Sequence, residues 1–168
     1  MPIPNNPASV KSTVKLSTYS WCVTIAVTLV LYVAMFCALH NTSAFFTLLA
    51  VYLLLLIFGL IYSPWYVKAD SREITVKSIL KKRVIPLADV RSVEIFSPTM
   101  GARRVVGSGG FMGYWGIFNE GGIGRYAAFY GRSSDCFLVR LADGDKYVIG
   151  CENPQTMVDF IKSHIQAQ

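Results

Sequence analysis

Between Leu16 and Val67 the chain carries no lysine, arginine, aspartate or glutamate. That gap excludes a buried soluble helical hairpin, because the run over residues 48–60 leaves no polar face for water. Histidine is almost as scarce. His40 and His164 are the only two; one lies in the turn between the apolar runs and the other on the last helix, neither with a plausible nucleophile beside it, and the spacing of Cys and His fits no zinc pattern. Asp89 and Glu94 read as a turn residue and an exposed strand residue, not as paired catalytic carboxylates. Neither G-x-G-x-x-G nor G-x-x-x-x-G-K-[ST] occurs, which argues against a nucleotide site. No A-x-A sequence follows the first apolar run, and that run is too long for a signal peptide. With these elements missing, the sequence predicts a protein that is not an enzyme and needs no cofactor or metal.

What remains is two different materials. Every charged residue except Lys11 and Lys15 lies from Lys68 onward. The net charge of +6 is a modest surplus, too scattered for nucleic acid but suited to anionic lipid headgroups beside a bilayer. Two apolar runs, about 19–39 and 44–61, each approach the roughly 20 residues that a helix needs to cross a bilayer. Tyr19, Trp21, Tyr62, Trp65 and Tyr66 would form an aromatic belt at one face. Only His40, Asn41, Thr42 and Ser43 separate the runs, so the helices must be adjacent and antiparallel. Lys11, Lys15, Lys68 and Arg72 flank the outer ends while the turn has no Lys or Arg, which places both termini in the cytoplasm. Asn41-Thr42-Ser43 matches a glycosylation sequon, an incidental match this close to the membrane.

Residues 1–15 read as a flexible tail, 16–62 as the transmembrane hairpin and 63–168 as a β domain. Its expected strands are 65–69, 73–80, 84–87, 91–96, 136–141 and 146–149, with Ile74, Val76 and Leu80 on one face of the second and Val93 and Ile95 facing inward from the fourth. Asp143-Gly144 suggests a two-residue hairpin turn. That register would set Cys136 opposite Cys151 at roughly 5.5 Å between Cα atoms, within disulfide range. A cytoplasmic site favours reduced core thiols instead. Asn153 and Pro154 then start a closing helix with Met157, Phe160, Ile161 and Ile165 at helical spacing.

The stretch Ile74-Thr75-Val76-Lys77, the segment Ile85-Pro86-Leu87-Ala88-Asp89-Val90-Arg91-Ser92-Val93-Glu94, the late hairpin and the terminal helix together resemble the bacterial pleckstrin-homology (PH-like) domains of small membrane proteins. The resemblance covers residues 62–164. It implies an α+β membrane protein: a transmembrane helical hairpin followed by a seven-stranded, antiparallel PH-like β-barrel capped by a C-terminal helix, used for binding or assembly. The turn after the first strand offers only Lys68 and Arg72 as cations, so phosphoinositide recognition does not carry over.

In residues 101–131, glycines alternate with large aromatics. Two readings stay open. In the favoured one the glycines let a long connection fold back while the aromatics close the barrel end. In the other, Phe111, Met112, Tyr114 and Trp115 form an exposed tip that meets a bilayer or partner, with Arg103, Arg104 and Arg125 at headgroups. Lys81, Lys82 and Arg83 are further candidate headgroup contacts. The functional expectation is a binding or assembly module at the cytoplasmic face of a bacterial inner membrane, engaging a protein partner or another copy of itself. A sensor of anionic headgroups and an accessory subunit of a membrane transporter are the alternatives.

Overall fold

The computed structural model describes residues 9–99 and 101–165. Residues 1–8 of the expected tail lie outside that range. The rest of that tail is not loose chain, because Ser9–Thr13 forms strand β1. It pairs antiparallel with β2, Pro64–Asp70, from Ser9 opposite Asp70 to Thr13 opposite Tyr66. Val10 packs against the core, Ser12 is buried and accepts a hydrogen bond from the Asn153 amide, and Lys11 Nζ sits 4.0 Å from the Tyr66 ring centroid. The β domain therefore begins before the helices.

Helix α1, Thr18–Cys37, starts at Ser17, whose side chain accepts from the Ser20 amide; α2, Thr42–Tyr62, starts at Asn41, which accepts from the Ala44 amide. These N-caps satisfy amides that a helix start leaves without partners. Both helices are long and apolar enough to cross a membrane. They pack side by side, with Tyr32 and Tyr52 rings 5.5 Å apart.

The remaining strands are β3 (Glu73–Ser78), β4 (Lys82–Pro86), β5 (Val90–Ile95), β6 (Arg103–Gly110), β7 (Gly113–Glu120), β8 (Gly124–Tyr130), β9 (Cys136–Leu141) and β10 (Lys146–Gly150), followed by α3, Pro154–Ile165. They do not close into one antiparallel barrel. Four form a sheet in the order β1-β2-β3-β4 and six form another in the order β5-β9-β10-β8-β7-β6, with β8 and β10 parallel. Pro86 ends β4 at a sheet edge, where a missing amide costs no ladder bond. The seam beside β1 and β5 is filled by α3 side chains instead of backbone pairing.

Strand alternation gives the six-stranded sheet two buried faces. On one, Phe129, Phe137, Val139 and Ile149 meet Val67, Ile74, Val76 and Ile85 of the smaller sheet, with Met157, Val158, Phe160 and Ile161 of α3. On the other, Phe118, Tyr126, Tyr130, Leu138 and Val148 are covered by Phe96 and Ala102, from the connection that links the sheet's opposite edges. Glu120, buried on this side, accepts hydrogen bonds from the Thr99 amide (3.0 Å) and hydroxyl (2.5 Å), and so holds that connection down. Burial raises the Tyr126 and Tyr130 phenols well above their ordinary pKa, with Glu120 adding to the shift at Tyr126.

The β9–β10 turn has three residues, not two. Leu141 donates to the Asp145 carbonyl and Gly144 takes φ +95°, the pattern of a turn closed by a left-handed residue. The register therefore slips by one, and Cys136 faces Gly150. Cys136 and Cys151 are free thiols in different cores, on opposite faces of the sheet. Burial pushes the Cys151 thiol up to about 11 and the Cys136 thiol higher still.

Residues 103–130 form strands and not the long connection expected from their glycines. Gly107 and Gly116 face each other across β6 and β7, both at φ +118°. A side chain at either would collide with the backbone of the other strand, at the Trp115 or Val106 carbonyl. Gly116→Ala is therefore expected to cost at least about 2 kcal/mol from backbone strain alone, measured as a lower Tm for the detergent-solubilised chain.

Candidate functional site: the helix-facing end of the β domain

Every strand of the two sheets runs between an end beside the helices and an end far from them. Hydrogen bonds fix the near end. The Val14 amide donates to the Trp65 carbonyl and the Ser17 amide to that of Gly131, joining the segment before α1 to β2 and to the end of β8. The Leu80 amide donates to the Leu60 carbonyl at 3.1 Å, and the Met112 amide to Thr24 Oγ1 at 2.8 Å. Two turn tips thus reach down along the helices. Thr24 lies about 9 Å along α1 from its first residue at 1.5 Å per residue.

The β6–β7 tip is Phe111-Met112. Ser108 Oγ and Trp115 Nε1 both donate to the Phe111 carbonyl and shape the turn, leaving Met112 at φ 52° with its thioether against Gly59 of α2. A residue larger than glycine at 59 would contest that place. Trp115 stacks on Tyr62 at 5.4 Å, and Tyr62 on Phe58 at 6.2 Å, so an aromatic column continues from α2 into the sheet. Tyr114 turns to the other face and stacks on Tyr130 at 4.8 Å; burial raises its pKa.

The β3–β4 tip is Ile79-Leu80, closed by the Ser78 amide donating to the Lys81 carbonyl. Leu80 is 61% and Ile79 45% exposed, and Trp65 beside them is 58% exposed. Leu80 is therefore not an inward strand residue. Lys81 and Lys82 follow this tip and are exposed. Arg83 is half-buried, its guanidinium carbon 4.6 Å from the Phe129 centroid and 5.7 Å from that of Tyr62.

A cavity of about 510 Å³ opens at this end, lined chiefly by Trp21, Trp65, Ile79 and Met112, with Lys15 and Arg132 supplying charge. Arg132 Nε donates to the Leu16 carbonyl. Lys15 is paired with Glu152 at 2.5 Å, and Thr13 Oγ1 also donates to Glu152, which lowers the pKa of that carboxyl. An apolar hollow rimmed by cations can hold a group that is greasy below and anionic above. Among the described residues no cluster of His, Cys, Asp or Glu could hold a metal ion.

The seven residues expected to act as one loop divide. Met112 and Trp115 meet the helices, and Phe111 shares their tip. Arg103 and Arg125 lie at the far end, level with Asn119, roughly 20 Å of strand from the tip. Arg104 also starts there, though its guanidinium folds back toward Gly109. Lys81, Lys82 and Arg83 do stand at the near end. Ile79, Leu80, Lys15 and Arg132 also belong to this end, and the sequence assigned none of them to a site. Two large apolar residues between Ser78 and Lys81, at a position that must turn, were the available signal.

Two sheets with a closing C-terminal helix that packs into the seam between them define a PH-like domain. Residues 66–165 match the family described as Bacterial PH domain, and the chain belongs to that family. No curated protein and no solved structure matches it significantly.

Thr24→Val removes the acceptor for the Met112 amide. It is expected to speed hydrogen exchange at that amide by about one to two powers of ten, while amides in β9 keep their protection.

Proposed function

We propose that the chain is a membrane-anchored binding module of the PH-like class that reads anionic lipid headgroups. In this reading α1 and α2 cross a bacterial inner membrane and the β domain rests on its cytoplasmic face. One observation carries it: Ile79, Leu80 and Trp65 are exposed at the level where the helices end, with Lys81, Lys82 and Arg132 around them. Exposed apolar side chains ringed by cations suit an interface that is hydrocarbon on one side and phosphate on the other. The hollow between Trp21 and Trp65 would receive a lipid's glycerol region. The domain works by binding and not by catalysis.

The test is lipid selectivity. Full-length protein in mixed nanodiscs should retain anionic over zwitterionic lipid in native mass spectrometry. Combining Lys81→Gln, Lys82→Gln and Arg132→Gln should reduce that preference by about fivefold per charge, from roughly 1 kcal/mol each near a charged surface. An unchanged ratio would remove the lipid reading.

A second reading, engagement of a protein partner or another copy, is favoured by the edge of β6, which has no neighbouring strand on one side among the described residues. Val105 and Val106 there are 49% and 66% exposed, and such edges invite a further strand. If copies pair through this edge, Val106→Lys should shift the detergent-solubilised protein from dimer to monomer in analytical ultracentrifugation.

A further inference from the structure

On the side of the domain away from α3 the two sheets stand apart, and a groove runs between β4 and the faces of β7, β8 and β10. It has two stretches that share Arg83, Ile117 and Ala127. The stretch nearer the helices is about 280 Å³ and is lined by Phe58, Tyr62, Trp115 and Phe129. The farther stretch is about 540 Å³ and carries Arg83, Arg125 and Lys146 against one lining carboxylate, Asp145. Gly107 and Gly116 form part of the floor, where any side chain would clash.

Charge and shape act together here. Among the described residues Arg83, Arg125 and Lys146 make no ion pair. Arg83 is held by the faces of Tyr62 and Phe129 and not by a carboxylate, so its donors remain available for an anion. Lys146 Nζ donates to the Ile123 carbonyl, which fixes it at the polar end. Three cations near one another gain from an anion between them. The apolar stretch is the smaller and begins at Phe58 and Tyr62 on α2.

We propose that this groove binds a single-chain anionic amphiphile, its alkyl chain along Phe58, Tyr62 and Trp115 and its carboxylate or phosphate head among Arg83, Arg125 and Lys146. That the apolar end opens toward lipid rests on the membrane anchor proposed above. The site shares no lining residue with the hollow at Trp21 and Trp65.

The experiment uses full-length protein with Trp21→Phe and Trp65→Phe, which leaves Trp115 as the only tryptophan, in phosphatidylcholine nanodiscs. An ω-brominated long-chain fatty acid should quench Trp115 saturably, and its uncharged methyl ester should not saturate. Arg83→Gln and Lys146→Gln should each raise the half-saturation concentration about tenfold, the scale of one charge-assisted hydrogen bond. Arg125→Gln, at an exposed position, checks the effect without risk to the core. Equal quenching by acid and ester, with no effect of the three substitutions, would overturn the proposal. So would protection of Trp115 by inorganic phosphate or by an oligoglutamate at concentrations below those at which the acid acts, reassigning the groove to a small anion or an acidic protein segment. Failure of the anchor is read separately, in a protein whose only tryptophan is Trp65: brominated phosphatidylcholine would leave its fluorescence unchanged.

Discussion

The contact between the Met112 amide and Thr24 Oγ1, together with the Leu80 amide on the Leu60 carbonyl, pins two turns of the β domain to the sides of the helices. Much of the rest depends on this. Because the segment before α1 is also tied down, at Val14 and Ser17, and α2 runs almost directly into β2, the domain cannot swing as a bead on a linker. Its near end is defined by the helices, and so is the level of Ile79, Leu80 and Trp65. Apolar side chains that would be a liability on a free soluble domain become a surface with one orientation. Cations are placed by the same constraint, since Lys81 and Lys82 follow the Leu80 tip directly in the chain.

The two sheets divide the work between a packed side and an open one. Where α3 fills the seam, Met157 and Ile161 are fully buried and the larger residues of both sheets interlock. Across the molecule, Arg83 spaces β4 away from β8, its guanidinium resting on Phe129, and the separation remains as a groove. A side chain that is long, charged and aromatic-stacked holds sheets apart where leucine would have drawn them together.

The helices and α3 were legible because each has a strong one-dimensional signal: a long stretch without charge, and an Asn-Pro start followed by apolar residues at helical spacing. Strand β1 was not, since Ser-Val-Lys-Ser-Thr has one large apolar residue and its partner lies beyond both helices. The glycines of 101–131 suggested a loop because glycine normally weakens strands; here a facing pair bends a hairpin that aromatics on both faces stabilise. One missing residue in the assumed turn moved Cys136 from Cys151 to Gly150, as a period of two requires. Arg103 and Met112 are near in sequence but at opposite ends of a strand, which is why the expected cluster separated. The family resemblance seen in the segment around Ile85 and Val93 held, while the closed barrel it implied did not.

The pairing of β1 with β2 has a consequence for how the molecule comes into being. Ser9 must wait for Asp70, and the intervening chain contains both apolar helices. Closing a loop of that length is cheap in equilibrium terms but slow to find. During synthesis the first strand leaves the ribosome without a partner and stays single until the hairpin has been made. If the helices cross a membrane as proposed, the sheet can be completed only when both have returned the chain to the side on which it began, and assembly of β1 then reports that the hairpin was threaded correctly.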